Sequence, residues 1–347
     1  MSARVFSRIS LVAGLLLGLG RVALAAPAPE EAGVRGTVRE LDVRKLEATF
    51  QILDVVYGFN GYWTFSDGIG DQLVDVDFAG NVKGTAPINL FAGNLYPAGG
   101  KIFFNALDAS GLPRVGFVQK TMIRGAFLPI GFLSQGGGLA VRGDQFGASY
   151  SRSQSSLELF HADQIYSLTP IALSGGPLRG IDVGPGGNIY VGVSGGIASV
   201  TYTGVVSRVP SYTLTSLTLR GCGDYLWAGG SNFMDRLKID GDQVSVVHAT
   251  VPFPVMSMDC GEGGIAVGAG TNGYLYAVDP AAGTVRSYAT NVGADYVKVA
   301  LGPGLTPNGL ALTNLGGLAA FRLDFTTGFD RNSSTVRLLP LNLRTSF

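Results

Sequence analysis

Short runs of alternating apolar and polar residues recur along the whole chain, separated by glycine-rich corners, and this is the signature of half-buried strands rather than helices. The stretch "GIDVGPGGNIYVGVSGG" (180–196) shows the unit: one strand, a Gly-Pro-Gly-Gly corner, a second strand and a glycine pair. The strand that follows each corner can be aligned with its counterparts: "KIFF" at 101–104, "LAV" at 139–141, "NIYV" at 188–191, "YLWA" at 225–228, "IAV" at 265–267 and "LAL" at 310–312. "YWTF" at 62–65 is an earlier member. Each leads to a third strand ending in a turn, as in "LVDVDFAGN", "RLKIDGD" and "YLYAVDPAAG".

The spacing of these strands centres near ~40 residues, and four short strands per period is the pattern of a β-propeller. A four-stranded twisted blade cannot bury both faces alone, whereas blades stacked round an axis bury each other. The predicted fold is therefore all-β, a six- or seven-bladed propeller of four-stranded antiparallel blades. The periodicity counts seven units, with a long third unit at 127–177 carrying the Ser-rich "ASYSRSQSS". Ring closure is expected from a strand within 34–43 or one within 335–344 pairing with the last blade.

The first 25 residues break the pattern. Arg4 and Arg8 precede an apolar run, and Ala23-Leu24-Ala25 follows with cleavage-site spacing. This reads as a secretory signal peptide (1–25) ahead of a propeller domain (26–347), with a mitochondrial presequence as the rival. Secretion, or a periplasmic location in a bacterium, is the expectation. No later run is apolar for long enough to span a bilayer as a helix. Asn332 begins the only glycosylation sequon, Asn332-Ser333-Ser334.

Charge adds little. The 347 residues include 25 basic and 25 acidic side chains, and without Arg4, Arg8 and Arg21 the balance is 22 against 25. That gives no footprint for nucleic acid or an anionic membrane. A monomer is expected. The two histidines, His161 and His248, sit in different units on outer-strand patterns. Neither a histidine metal site nor a Ser-His-Asp triad can be assembled from them. Asp71, Asp75 and Asp77 offer oxygen ligands, but one polar strand face explains them, so no metal and no cofactor are expected. Cys222 and Cys260 are the only cysteines and lie one period apart. They form either a disulfide between neighbouring blades or a pair of buried thiols.

The chemistry is expected where inner strands line the central channel. The candidate inner strands are 89–96, 127–135, 178–183, 214–221, 253–260 and 295–301. Arg179, Asp182 and Lys298 are the candidate catalytic groups on them. Arg220, Met258, Asp259 and Tyr296 are candidate ligand-binding groups, with Phe132 and Trp227 nearby. The repeat of "LRG" at 178–180 and 219–221 points to inward arginines, which could equally form the structural ion pairs Arg179–Asp182 and Arg220–Asp259. An aromatic-rich channel with a few polar groups is the profile of a pocket for a small, largely apolar or amphipathic molecule.

The 180–196 stretch resembles repeats of the NHL and gluconolactonase-like propellers, and "TPNGLAL" (306–312) is similar to the "PNG" element of sugar-lactone lactonases, whose Asn binds the metal; that likeness implies a lactonase-like hydrolase, although Asn308 falls in the turn after the inner strand rather than at its start. The overall layout, with "YLWAGG", "IAVGAG" and a late "FRLD", resembles secreted fungal propellers that include a skin-yeast allergen, a trichothecene-pathway cyclase and hetero-Diels–Alderases. That resemblance implies six blades and a metal-independent cyclisation or Diels–Alder-type ring closure in secondary metabolism, and it carries no individual residue. A non-catalytic binding propeller is the other function compatible with the same features.

Overall fold

The computed structural model describes Arg39–Glu40 and, with short gaps, residues 52–322; the longest gap is 120–137. All of these belong to the compact unit Val34–Phe347. The signal segment 1–25, the expected inner strand 127–135, Phe132, the alternative closing strand 335–344 and Asn332 lie outside the described residues.

Among the described residues seven antiparallel sheets form, six from consecutive strands and the last from three consecutive strands joined by an N-terminal one, which is the topology of a seven-bladed β-propeller. The innermost strands are Ile52–Tyr57, Phe91–Ala98, Gly138–Arg142, Arg179–Val183, Thr218–Cys222, Val255–Cys260 and Tyr296–Leu301. Six sheets have four strands, and three are described in the second blade. Seven blades, not the six implied by the fungal resemblance, follow from this count.

The third blade corrects the sequence reading. "LAV" (139–141) is part of its inner strand, not its second, and the blade runs over 138–172. Three glycines before "LAV" imitate the corner found between inner and second strands elsewhere. The real corner follows Arg142, where Gly143 takes φ 53° and Gln145 N–H donates to Arg142 O. In the fourth blade the expected corner is present: Gly186 and Gly187 adopt φ 69° and 74°, values that disfavour residues with a Cβ.

Closure uses the N-terminal segment. Arg39–Glu40 pairs with Ala320 and Ala319 as the outer strand of blade seven, so the last sheet is built from both ends of the propeller sequence. Cores lie between blades. Val55, Trp63, Phe65 and Val74 of blade one pack with Ala300, Leu310, Leu312 and Leu318 of blade seven. Tyr190, Ile197, Leu226 and Leu237 fill the seam of blades four and five. Burial at about 25 cal/mol per Å2 of apolar surface makes these seams the main source of stability.

Five inner strands share an irregularity. The pairing of inner with second strand slips by one residue between Ile52 and Asp54, Ala92 and Asn94, Arg179 and Ile181, Val255 and Ser257, and Tyr296 and Lys298. A bulge of this kind bends the strand and re-aims the side chains after it. Here those side chains meet at the axis.

Candidate functional site

An axial cavity of about 350 Å3 is lined by residues from the inner strands of all seven blades. Its polar wall is built from a repeated element. In Leu53-Asp54-Val55, Ile181-Asp182-Val183 and Met258-Asp259-Cys260 an aspartate sits between apolar residues on an inner strand; Asp182 and Asp259 line the cavity, and Asp54 is buried beside the lining residue Lys298. Each uses Oδ1 to accept the next backbone N–H, from Val55 (2.8 Å), Val183 (2.8 Å) and Cys260 (2.9 Å). Each uses Oδ2 to accept a backbone N–H of the following blade, from Leu95 (2.7 Å), Gly221 (2.9 Å) and Leu301 (2.8 Å). The aspartates are thus clips between inner strands, made of charge-assisted bonds worth ~1.5–3 kcal/mol each.

The close approach has a sequence requirement. A Cβ at Gly221 would lie 1.7 Å from Val183 O, so only glycine lets blade five come within reach of Asp182.

Two cations complete the wall. Arg220 bridges neighbouring blades, with Nη1 3.3 Å from Asp182 Oδ2 and Nη2 2.7 Å from Asp259 Oδ1. Burial opposes the charge on Arg220, but the carboxylates of Asp259 and Asp182 outweigh it and the net shift of its pKa is upward. Lys298 Nζ lies 3.2 Å from Asp54 Oδ1 and 3.3 Å from Oδ2. Tyr96, from blade two, donates its hydroxyl to Asp182 of blade four. Burial and the Asp182 carboxylate raise the Tyr96 pKa well above its ordinary value, so it acts as a neutral donor.

Of the sequence candidates, Asp182, Arg220, Met258, Asp259 and Lys298 line this cavity. Arg179 does not: it is exposed at the start of its strand, before the bulge, and the cation that Asp182 pairs with is Arg220. Trp227 and Tyr296 are also displaced from the expected channel wall. Trp227 pairs with Arg220 across the sheet, but its ring packs between blades against Met234, Val255 and Tyr276. Tyr296 is fully buried among Val267, Leu275, Val299 and Phe321. Both are core residues because a large ring fills an inter-blade seam at lower cost than it stands in a wet channel. The aromatic wall is formed instead by Tyr57, Tyr96 and Tyr150.

Asp54, which holds Lys298, and Tyr96 were not legible as site residues one at a time. The recurrence of apolar-Asp-apolar ahead of a glycine corner, at 53–55, 181–183 and 258–260, is the signal that finds Asp54. Nothing local marks Tyr96, which reaches past a whole blade.

Other candidates have local explanations. Asp75 accepts the Thr64 hydroxyl at 2.6 Å, and Asp77 caps its own turn and pairs with Lys83 at 2.9 Å. Asn308 opens the second strand of blade seven and donates to Pro303 O, outside the cavity lining. Among the described residues no group of three His, Cys, Asp or Glu is placed to hold a metal ion. Cys222 and Cys260 are joined as a disulfide with a Cα–Cα distance of 6.0 Å, which resolves the alternative left by the sequence and ties the ends of two inner strands beside the Arg220–Asp259 pair. Among the described residues no helix is long and apolar enough to cross a membrane.

No protein family matches the chain, and no curated protein matches it either. Solved structures do. The chain is similar to a streptogramin B lyase at TM-score 0.62 and 14% identity, covering 78% of this chain and 92% of that one. It is similar to a selenomethionine-substituted virginiamycin B lyase from Staphylococcus aureus at TM-score 0.63 and 11% identity, covering 84% and 99%. Identities this low show the propeller fold alone, and the comparisons do not support the secreted fungal cyclase and allergen group expected from the sequence.

Proposed function

We propose that this propeller binds a small amphipathic molecule in its axial cavity. One observation carries the reading: a cavity of about 350 Å3, within the range of small-molecule sites, in which Arg220, Lys298 and Asn94 stand beside Tyr57, Met256 and Val297. Met256 is 42% exposed, an apolar side chain facing solvent in the lining of a concave site. The location, on the axis and built by all blades, means that a bound molecule would touch strands that the aspartate clips already hold rigid.

A second reading is catalysis at the same site, either ring closure or a lyase-type reaction. Its support is the fold shared with two lyase propellers and the presence of fixed donors, which can stabilise a developing oxyanion. Lys298 and Arg220 would serve as those donors, with Asp182 holding Arg220 in place.

The test is a thermal-shift screen of small amphipathic metabolites against the wild type and Met256→Trp, a substitution that narrows the cavity from its rim. Binding predicts stabilisation of the wild type that the variant loses. Mass spectrometry of the recovered compounds then separates the readings, because a binder returns its ligand unchanged. Compounds that stabilise both proteins equally would place binding elsewhere and end both readings.

A further inference from the structure

We infer that the cavity selects a neutral molecule bearing hydrogen-bond-accepting oxygen, such as a ketone or an amide, over an anion or a cation. The inference rests on the binding role proposed above and comes from counting what the wall has already used. All six carboxylate oxygens of Asp54, Asp182 and Asp259 are engaged. Asp54 takes the N–H groups of Val55 and Leu95 and the Lys298 ammonium. Asp182 takes Val183 and Gly221 N–H, the Tyr96 hydroxyl and Arg220. Asp259 takes Cys260 and Leu301 N–H and Arg220. A ligand ammonium would have to displace Lys298 or Arg220, or break a clip between blades, to find a counter-ion.

An anion fares no better. The lining carries Asp182 and Asp259 against Arg220 and Lys298, and the buried Asp54 holds Lys298, so an added negative charge finds both cations already paired in a partly desolvated site. What remains unused is donor capacity. Arg220 Nε is buried without a hydrogen-bond partner. Lys298 has three N–H bonds and contacts only Asp54 among the described residues, with its side chain 30% exposed. The Ser257 hydroxyl accepts from Val299 N–H at 3.4 Å, which leaves its own proton free. Buried donors without partners cost stability until an acceptor arrives. A neutral carbonyl supplies lone pairs without adding charge, and its carbon skeleton can lie against Ile181, Met256 and Val297.

The experiment uses one carbon skeleton, phenylcyclohexane, carrying a ketone, a carboxylate or an ammonium group. Binding to the full-length protein and to Met256→Trp is measured by ligand-observed NMR titration at neutral pH. The expected result is that the ketone binds at least about tenfold more tightly than either ion, a gap of ~1.4 kcal/mol, and that the variant loses it. Equal or tighter binding of the carboxylate or the ammonium, lost in the variant, overturns the selectivity while leaving the cavity as a binding site. Binding of none of the three, or binding unaffected by Met256→Trp, overturns both.

Discussion

Lys298 and Asp54 stand 244 residues apart in the chain and meet at 3.2 Å across the seam between blades seven and one. The Trp63 indole N–H donates to Ala300 O across the same seam at 3.0 Å. Ring closure is therefore held at the axis as well as at the rim, where Arg39–Glu40 pairs with the third strand of blade seven. Lys298→Met should leave Asp54 buried with backbone donors alone. Breaking a fully buried pair costs ~3–5 kcal/mol, and about 2 is expected here because the lysine side chain is 30% exposed. Urea unfolding reads the loss as a lower midpoint; an unchanged midpoint would show that the pair contributes nothing to closure.

Gly221 and Gly93 make a matched pair of glycine tests. A Cβ at Gly221 meets Val183 O at 1.7 Å, whereas one at Gly93 meets nothing within 4 Å. Gly221→Ala should push blade five away from Asp182 and cost more than ~3 kcal/mol, since backbone cannot yield as a side-chain tip does. Gly93→Ala should unfold within about 0.5 kcal/mol of the wild type. The contrast is checked by chemical denaturation of the two variants side by side.

The Cys222–Cys260 disulfide closes a loop of 38 residues' separation between the inner strands of blades five and six. In the chain-entropy account such a link stabilises by about 3–4 kcal/mol. Replacing both cysteines with serine should lower the unfolding midpoint accordingly. Mass spectrometry of the alkylated, non-reduced protein should meanwhile find no free thiol, and labelling of both positions would contradict the bridge.

Away from the channel, a buried carboxylate gives a pH dependence with a definite sign. Asp235 is fully buried, accepts the Tyr212 hydroxyl at 3.0 Å and meets His248 Nδ1 at 2.6 Å. Burial raises its pKa from the ordinary 3.8, and the opposing bonds from Tyr212 and His248 do not cancel that rise. A raised carboxyl pKa means that the folded state holds its proton longer than the unfolded one. The associated stability is therefore fully present below pH 3.8 and is lost as pH climbs through the folded value. The stability of the wild type relative to Asp235→Asn should fall as pH rises above 3.8. A difference that stays flat, or rises, over that window would refute the assignment.

The fold was legible because its causes are local. A four-strand period, glycine corners such as Gly186-Gly187 and alternating inner strands such as Thr218–Cys222 are written within ~40 residues of chain. Where a corner was imitated, as by the glycines ahead of Leu139, the reading slipped by a strand, because a glycine run shows freedom to turn without showing where the turn falls. The site was legible only in part. Asp182, Arg220, Asp259 and Lys298 carry charge on inner strands and could be named from the pattern alone. The Arg220–Asp259 pair could be named as well, but the partners of Asp182 and Lys298 could not, since the bulge after Arg179 turns that side chain out while Arg220 takes its place between Asp182 and Asp259. Trp227 and Tyr296 went to inter-blade cores because period-two alternation does not distinguish an axis from a seam. The sequence determined that strands form and that charge sits on the innermost of them. The tertiary structure alone decided which of those charges share the axis, because their partners lie one blade, two blades or a whole ring away in the chain.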